Sequence, residues 1–218
     1  MNENSKKIII SLNQDILNIK TNSCIEFGSN QQWFVDEWQK MSGCGPCSAA
    51  NIFAYLANTV QGFGKLCSAD FPFEKEDFLK HMNEVWQFIT PTPRGTNTTS
   101  LYTDGACKFT KSRGIELIPH CLNINSKINK FNRQSVEDIY KFIYEGLTKG
   151  CPVAFLNLSN GGLKNLAGWH WVTIFAILEG EDGKLLVEVS DQGVKKSLDI
   201  EQWVNSTVLG GGFVYFTF

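Results

Sequence analysis

Two apolar runs, His170–Leu178 and Lys184–Ser190, are separated only by Glu179-Gly180-Glu181-Asp182-Gly183. Ile, Val, Leu and Phe on both sides of a short Gly-containing connector predict an antiparallel hairpin. A chain holding such a hairpin must build at least part of its core on an antiparallel sheet. If Glu179 pairs with Lys184, His170 falls opposite Gly193 and Val172 opposite Asp191. Side chains alternate along a strand, so His170, Val172, Ile174 and Ala176 share a face with Leu185, Val187, Val189 and Asp191. A histidine and a carboxylate are thereby expected at the same open end of one strand pair.

The rest of the chain surrounds this hairpin with a consistent pattern. Short extended pieces are expected over 6–11 and 24–28. Helices are expected over 46–58, 74–89 and from Thr98 or Thr99 to about Ser112, the last ended by Gly114. Ile115–Leu122 reads as a strand. Ser135 caps a helix over Val136–Lys149, with Asp138 in its first turn and Gly150 past its end. Cys151–Leu158 is a buried-type strand, Asp199 caps a short helix carrying Trp203, and Phe213–Phe218 closes the chain as a strand. Helices crowd the first half and strands the second, an α+β pattern. The 218 residues are 43% hydrophobic, enough for one well-cored domain. That domain is expected to span 1–218, with a helical lobe over about 30–114 and a β-rich lobe over about 115–218.

Composition narrows the function classes. A net charge of −2 without a basic stripe gives no reason to expect a nucleic-acid partner. No stretch approaches the length of a membrane span, and the run Ile8–Ile10 is too short for a signal segment. The seven cysteines are odd in number and irregularly spaced, which points to a reducing, cytoplasmic setting. No second cysteine pair stands at usable spacing for a metal, so neither a metal nor another cofactor is expected.

The chemistry concentrates at Trp38–Asn58. Gly43, Gly45 and Pro46 permit a tight turn into a helix whose first residues include Cys44. The positive end of a helix favours an anionic sulfur. Only three histidines exist to serve as its base. His81 reads as a surface or edge residue and His120 as a satisfied core histidine. His170, beside Asp191, is the candidate base, with the acid holding its tautomer. Gln39, five positions before Cys44, offers an amide to an oxyanion. Cys44-Gly45-Pro46-Cys47 is also a redox dithiol pattern, so Cys47 has two alternative roles, resolving thiol or nucleophile.

SGCGPCSAANIFAYL at 42–56, KGCPVAFLNL at 149–158, GWHWVTIFAI at 168–177 and VSDQG at 189–193 together resemble the papain-like cysteine peptidases, within them the bacterial C39-like group. The resemblance covers about 38–193. It implies a two-lobed fold with Cys44 as nucleophile, His170 as base, Asp191 as third member and an upstream glutamine. Gln39 matches that glutamine best but lies closer to the cysteine than in most relatives, which leaves Gln31 and Gln32 open. The implied activity is hydrolysis of a peptide or isopeptide bond in a peptide or protein substrate. Three alternatives stand beside it: a Cys-His-Asp acyltransferase or transglutaminase-like enzyme, a thioredoxin-like dithiol oxidoreductase, and an inactive peptide-binding module.

Overall fold

The computed structural model describes residues 6–127 and 134–218. β1 (Lys7–Ser11), β2 (Asn18–Lys20) and β3 (Ile25–Phe27) come first, followed by α1 (Glu37–Ser42), α2 (Cys44–Thr59), α3 (Lys75–Trp86) and α4 (Thr99–Ser112). Then come β4 (Ile118–Ile124), α5 (Val136–Thr148), β5 (Val153–Asn157), β6 (His170–Glu179), β7 (Leu185–Asp191), β8 (Val194–Leu198), α6 (Ile200–Ser206) and β9 (Gly211–Thr217). The fold is α+β. Among the described residues no helix is long and apolar enough to cross a membrane.

The main sheet runs β4-β9-β5-β6-β7-β8, and β1 pairs with the far half of β6. Every pairing within it is antiparallel. β5 and β6 are buried almost throughout, so both faces of the sheet are covered. On one face Ser48 and Asn51 of α2 reach Thr173 and Ser190. On the other, Val153 lies against Gly146 of α5, and Phe155 packs edge-on against Trp203 of α6 at 4.7 Å. One continuous apolar cluster joins these layers, from Ile16 to Phe216.

Local chemistry explains the helix starts. Asp36, Thr98, Ser135 and Asp199 each accept a backbone N–H from three residues ahead. Each such cap contributes about 1 kcal/mol. α2 is different. It has no side-chain cap and is buried on every side from Gly45 to Leu56, rather than along the single face its apolar spacing suggests. Small residues such as Ala49, Ala50 and Ala54 allow neighbours to approach all round it.

The hairpin departs from the expected register in an informative way. At its turn Glu179 pairs with Leu185, one residue from the expectation. A bulge between Ile174 and Ala176 then removes the offset, and Thr173 pairs with Ser190 as expected. Ala176 therefore pairs with Glu188 and leaves the face shared by Ile174 and Val189. α1, β2 and β8 add elements beyond the expected set, and β1 carries the N-terminal segment into the sheet of the strand-rich half.

His81 is not at the surface. It is fully buried in α3, between the rings of Phe78 and Phe109, with Nε2 against the Ala50 carbonyl at 3.2 Å. Its Nδ1 has no partner among the described residues. His120 instead stacks on Tyr215 at 4.7 Å and lies 2.9 Å from the Thr217 hydroxyl. Burial pushes the His81 pKa down to about 4, more than the Ala50 hydrogen bond raises it. A folded pKa below the unfolded value makes stability fall as pH drops, from about 6.5 through about 4. Urea titrations across that range should show a loss of about 3 kcal/mol that His81→Leu removes; an equal pH slope in the variant would exclude His81 as its source.

Candidate active site

Cys44 is the first residue of α2, half-buried at the positive end of a 16-residue helix. The glycines on either side are required by close approach. A Cβ on Gly43 would come within 2.5 Å of the Gln39 carbonyl oxygen, and one on Gly45 within 2.9 Å of Thr96. Cys47 lies one turn on and is buried, and the Ser29 hydroxyl donates to its carbonyl at 3.0 Å. Burial pushes the Cys47 thiol far up. The segment before Cys44 is α1 rather than the strand that Phe34-Val35-Asp36 would supply in a thioredoxin-like arrangement.

His170 opens β6 directly after Trp169, whose φ of 52° is rare for a bulky residue. Nε2 of His170 donates to Oδ1 of Asp191 at 2.6 Å, with both side chains buried. This leaves Nδ1 as the free ring nitrogen, and Cys44 borders the same small cavity as His170. Burial alone would lower the His170 pKa, but the hydrogen bonds and charges of Asp191 and Cys44 outweigh it and hold the value well above the ordinary one. For Asp191, burial raises the pKa, while His170 and Lys196 together bring it below the usual carboxylate value.

Asp191 ends β7 and pairs with Val194 across a two-residue turn. Gln192 and Gly193 both have positive φ, 51° and 77°, as a type I′ turn demands. The turn is docked by Phe27 N–H donating to the Gly193 carbonyl and Gly193 N–H donating to the Ser29 carbonyl. Returning along β8, Lys196 pairs with Val189 and so stands diagonal to Asp191 on the same face. Its Nζ donates to Asp191 Oδ2 at 2.6 Å. Each carboxylate oxygen thus has its own cationic or proton-donating partner.

Cys44, His170 and Asp191 come together; Gln39 does not join them. Asp36 caps α1, and the helical phase sends the Gln39 amide to Asn83 of α3, where Nε2 donates to Oδ1 at 3.2 Å. Gln32 is exposed. Gln31 is buried and lines a small cavity together with Cys44 and His170. Its Nε2 donates to the Lys40 carbonyl at 2.8 Å, and its Oε1 has no partner among the described residues.

Beneath the cluster lies a buried polar network that no sequence motif announces. Asn51 accepts the Ser29 N–H at 2.8 Å and donates to the hydroxyls of Thr173 and Ser190, while Thr173 also reaches Ser48 at 3.1 Å. Its only signal is the polar Ser48 and Asn51 inside an otherwise apolar helix. Lys196 carries a clearer one, because the turn signal at Gln192-Gly193 brings a strand back past Asp191. Beside Cys44 opens a cleft of about 550 Å³, walled by Trp38, Met41, Leu156, Trp169 and Trp171, with Arg94 at its edge.

Because the folded His170 pKa is raised, its stabilising contribution is full below about pH 6.5 and lost as pH rises through the folded value. Lys196 opposes protonation of His170, so Lys196→Met should move the His170 imidazole titration, followed by NMR, to higher pH. It should also lower stability by about 1–2 kcal/mol, since a buried carboxylate oxygen loses a partly exposed partner. Lys196→Arg should restore both; an unmoved titration would show that Lys196 is not coupled to the pair. No known family model and no curated protein matches the chain, so the chemistry of this cluster stands on its own geometry.

Proposed function

We propose that the protein is a papain-like cysteine hydrolase of the C39-like kind, with a helical lobe bearing Cys44 and a sheet lobe bearing His170 and Asp191. The observation that supports this is the 2.6 Å bond from His170 Nε2 to Asp191 Oδ1, which leaves the other ring nitrogen free to serve Cys44, a residue lining an open cleft. Cys44 Sγ attacks the carbonyl carbon of a peptide or isopeptide bond while His170 holds the thiol proton. The tetrahedral intermediate collapses as His170 passes that proton to the leaving amine, which leaves an acyl thioester on Cys44. His170 then takes a proton from water, the hydroxide attacks the thioester, and the acid departs. Asp191 orients the ring and stabilises its charged form throughout.

On this proposal the side-chain donor to the oxyanion is Gln31. Its amide borders the cavity shared with Cys44 and His170, whereas that of Gln39 is engaged by Asn83. One Gln31 N–H is used on Lys40, and the other remains for the intermediate. Gln31→Ala should lower kcat by about 100-fold, the usual loss for such a donor, and Gln39→Ala should change it by less than about threefold. The reverse ranking in steady-state assays would return the role to Gln39.

A hydrolase needs one sulfur and a dithiol oxidoreductase needs both. Fluorogenic peptidyl amides serve as substrates. Cys44→Ala should lose at least about 1000-fold in kcat/KM, and Cys47→Ser should keep most of the activity with a modest loss of stability. Iodoacetamide, with the adduct located by mass spectrometry, should label Cys44 in the Cys47 variant. Labelling confined to Cys47 would move the nucleophile, and insulin reduction dependent on both cysteines would replace the hydrolase with a redox protein.

A further inference from the structure

We infer that the cleft beside Cys44 selects an acyl donor that combines a bulky apolar or aromatic side chain with a nearby carboxylate. This rests on the hydrolase proposal for its chemistry, but the cleft's own composition carries it. Trp38, Met41 and Trp169 are 40%, 74% and 52% exposed, an unusual concentration of large apolar surface for side chains around one opening. Leu156 and Trp171 are buried behind them and form part of the wall. A cavity of about 550 Å³ holds an aromatic side chain together with the adjoining backbone.

Among the described residues Arg94 is the only charged one lining the cleft, and it has no ion pair with any of them. Among the described residues no carboxylate lines it. A basic substrate group would therefore meet only the like charge of Arg94, whereas a carboxylate would meet a guanidinium suited to two parallel hydrogen bonds.

The backbone under Arg94 is held in place before any substrate arrives. Thr92 and Gly95 exchange both backbone hydrogen bonds, Gly95 has a φ of 72°, and the Thr92 hydroxyl accepts the Arg94 N–H at 3.2 Å. The next residue, Thr96, accepts the Trp171 indole N–H at 2.5 Å, and Trp171 in turn stacks on Tyr102. The same Thr96 packs on Gly45, next to Cys44. The turn carrying Arg94 is thus fastened to both β6 and the first turn of α2, which reduces the ordering cost of binding.

Binding can be measured apart from catalysis with Cys44→Ala and the intrinsic fluorescence of the cleft tryptophans. The probes are blocked tetrapeptides Gly-Phe-Asp-Gly and Asp-Phe-Gly-Gly, and their counterparts with Asn or Lys for Asp, or Gly for Phe. In low salt the better Asp peptide should bind about 5- to 10-fold more tightly than its Asn counterpart, and the preference should shrink as salt rises. Lys should bind more weakly than Asn. Replacing Phe by Gly should cost at least about 10-fold. Arg94→Gln should abolish the preference for Asp over Asn, and Trp169→Ala should reduce the preference for Phe. Equal binding of Asp and Asn peptides, a preference that survives Arg94→Gln, or no binding by any probe would overturn the inference. Coumarin amides of the same peptides, given to the unsubstituted protein, separate the two proposals. Turnover without selectivity removes the cleft inference alone, and selective binding without turnover removes the hydrolase while the cleft inference stands.

Discussion

Burial of α2 on every side is the constraint on which the rest depends. A helix enclosed from Gly45 to Leu56 leaves no water to satisfy a polar side chain along that length. Ser48 and Asn51 are nonetheless there, and they are satisfied by groups from three separate segments: Ser29, Thr173 and Ser190. An apolar interface tolerates sliding, but a buried amide bonded in several directions does not, since each broken bond leaves a desolvated group costing about 1–3 kcal/mol. The network therefore sets where Cys44 stands relative to the ends of β6 and β7. Ser48 lies about one turn, and Asn51 about two turns, beyond the cysteine along the same helix.

The other half of the cluster is set by strand geometry. Starting at the turn between β6 and β7, the pairing is one residue out of the register that aligns His170 with Asp191, and the bulge after Ile174 corrects it. A one-residue slip turns every following side chain to the other face. Without the bulge, His170 and Asp191 could not share one. The type I′ turn at Gln192-Gly193 then brings Lys196 onto the free oxygen of the same carboxylate. A Cβ at Gly193 would also come within 1.9 Å of Glu26, so a glycine there serves both the turn and the docking of β3.

What could be read from the residues alone follows the strength of local signals. β5, β6, β7, α4 and α5 were legible because long apolar runs, side-chain caps and Gly stops all agreed. The meeting of His170 and Asp191 was legible because antiparallel pairing is arithmetic, and a bulge happened to cancel an error of one at the turn. β8 was not, because an edge strand carrying Lys195 and Lys196 lacks apolar alternation. α1 has only six residues and little periodicity to detect. His81 lies on the buried stripe of α3 with Phe78, Met82 and Val85, although a titratable ring next to Lys80 is the kind of group that usually faces water. Position along the chain before Cys44 points to Gln39, but within a helix the direction of a side chain follows phase, and that phase faces α3.

Charge ties these pieces to the proposed chemistry. Burying an ion pair gains little by itself, since desolvation offsets most of the attraction. Here the pair is joined by a second cation: with His170 protonated, two positive groups surround the single carboxylate of Asp191. Had Asp191 faced His170 alone, the pair would be neutral and its field beyond a few ångströms weak. Lys196 leaves the cluster with a net positive charge, and the groups that can balance it lie on the far side of the imidazole, where Cys44 begins its helix. On the proposed mechanism the anionic sulfur and then the oxyanion occupy that side in turn. A preorganised positive field is most effective where its dipoles and charges need not reorient during reaction. Lys196, fixed by strand pairing, and the end of α2, fixed by Asn51, both meet that requirement, which makes the polar scaffold beneath the site as much a part of its chemistry as Cys44, His170 and Asp191 themselves.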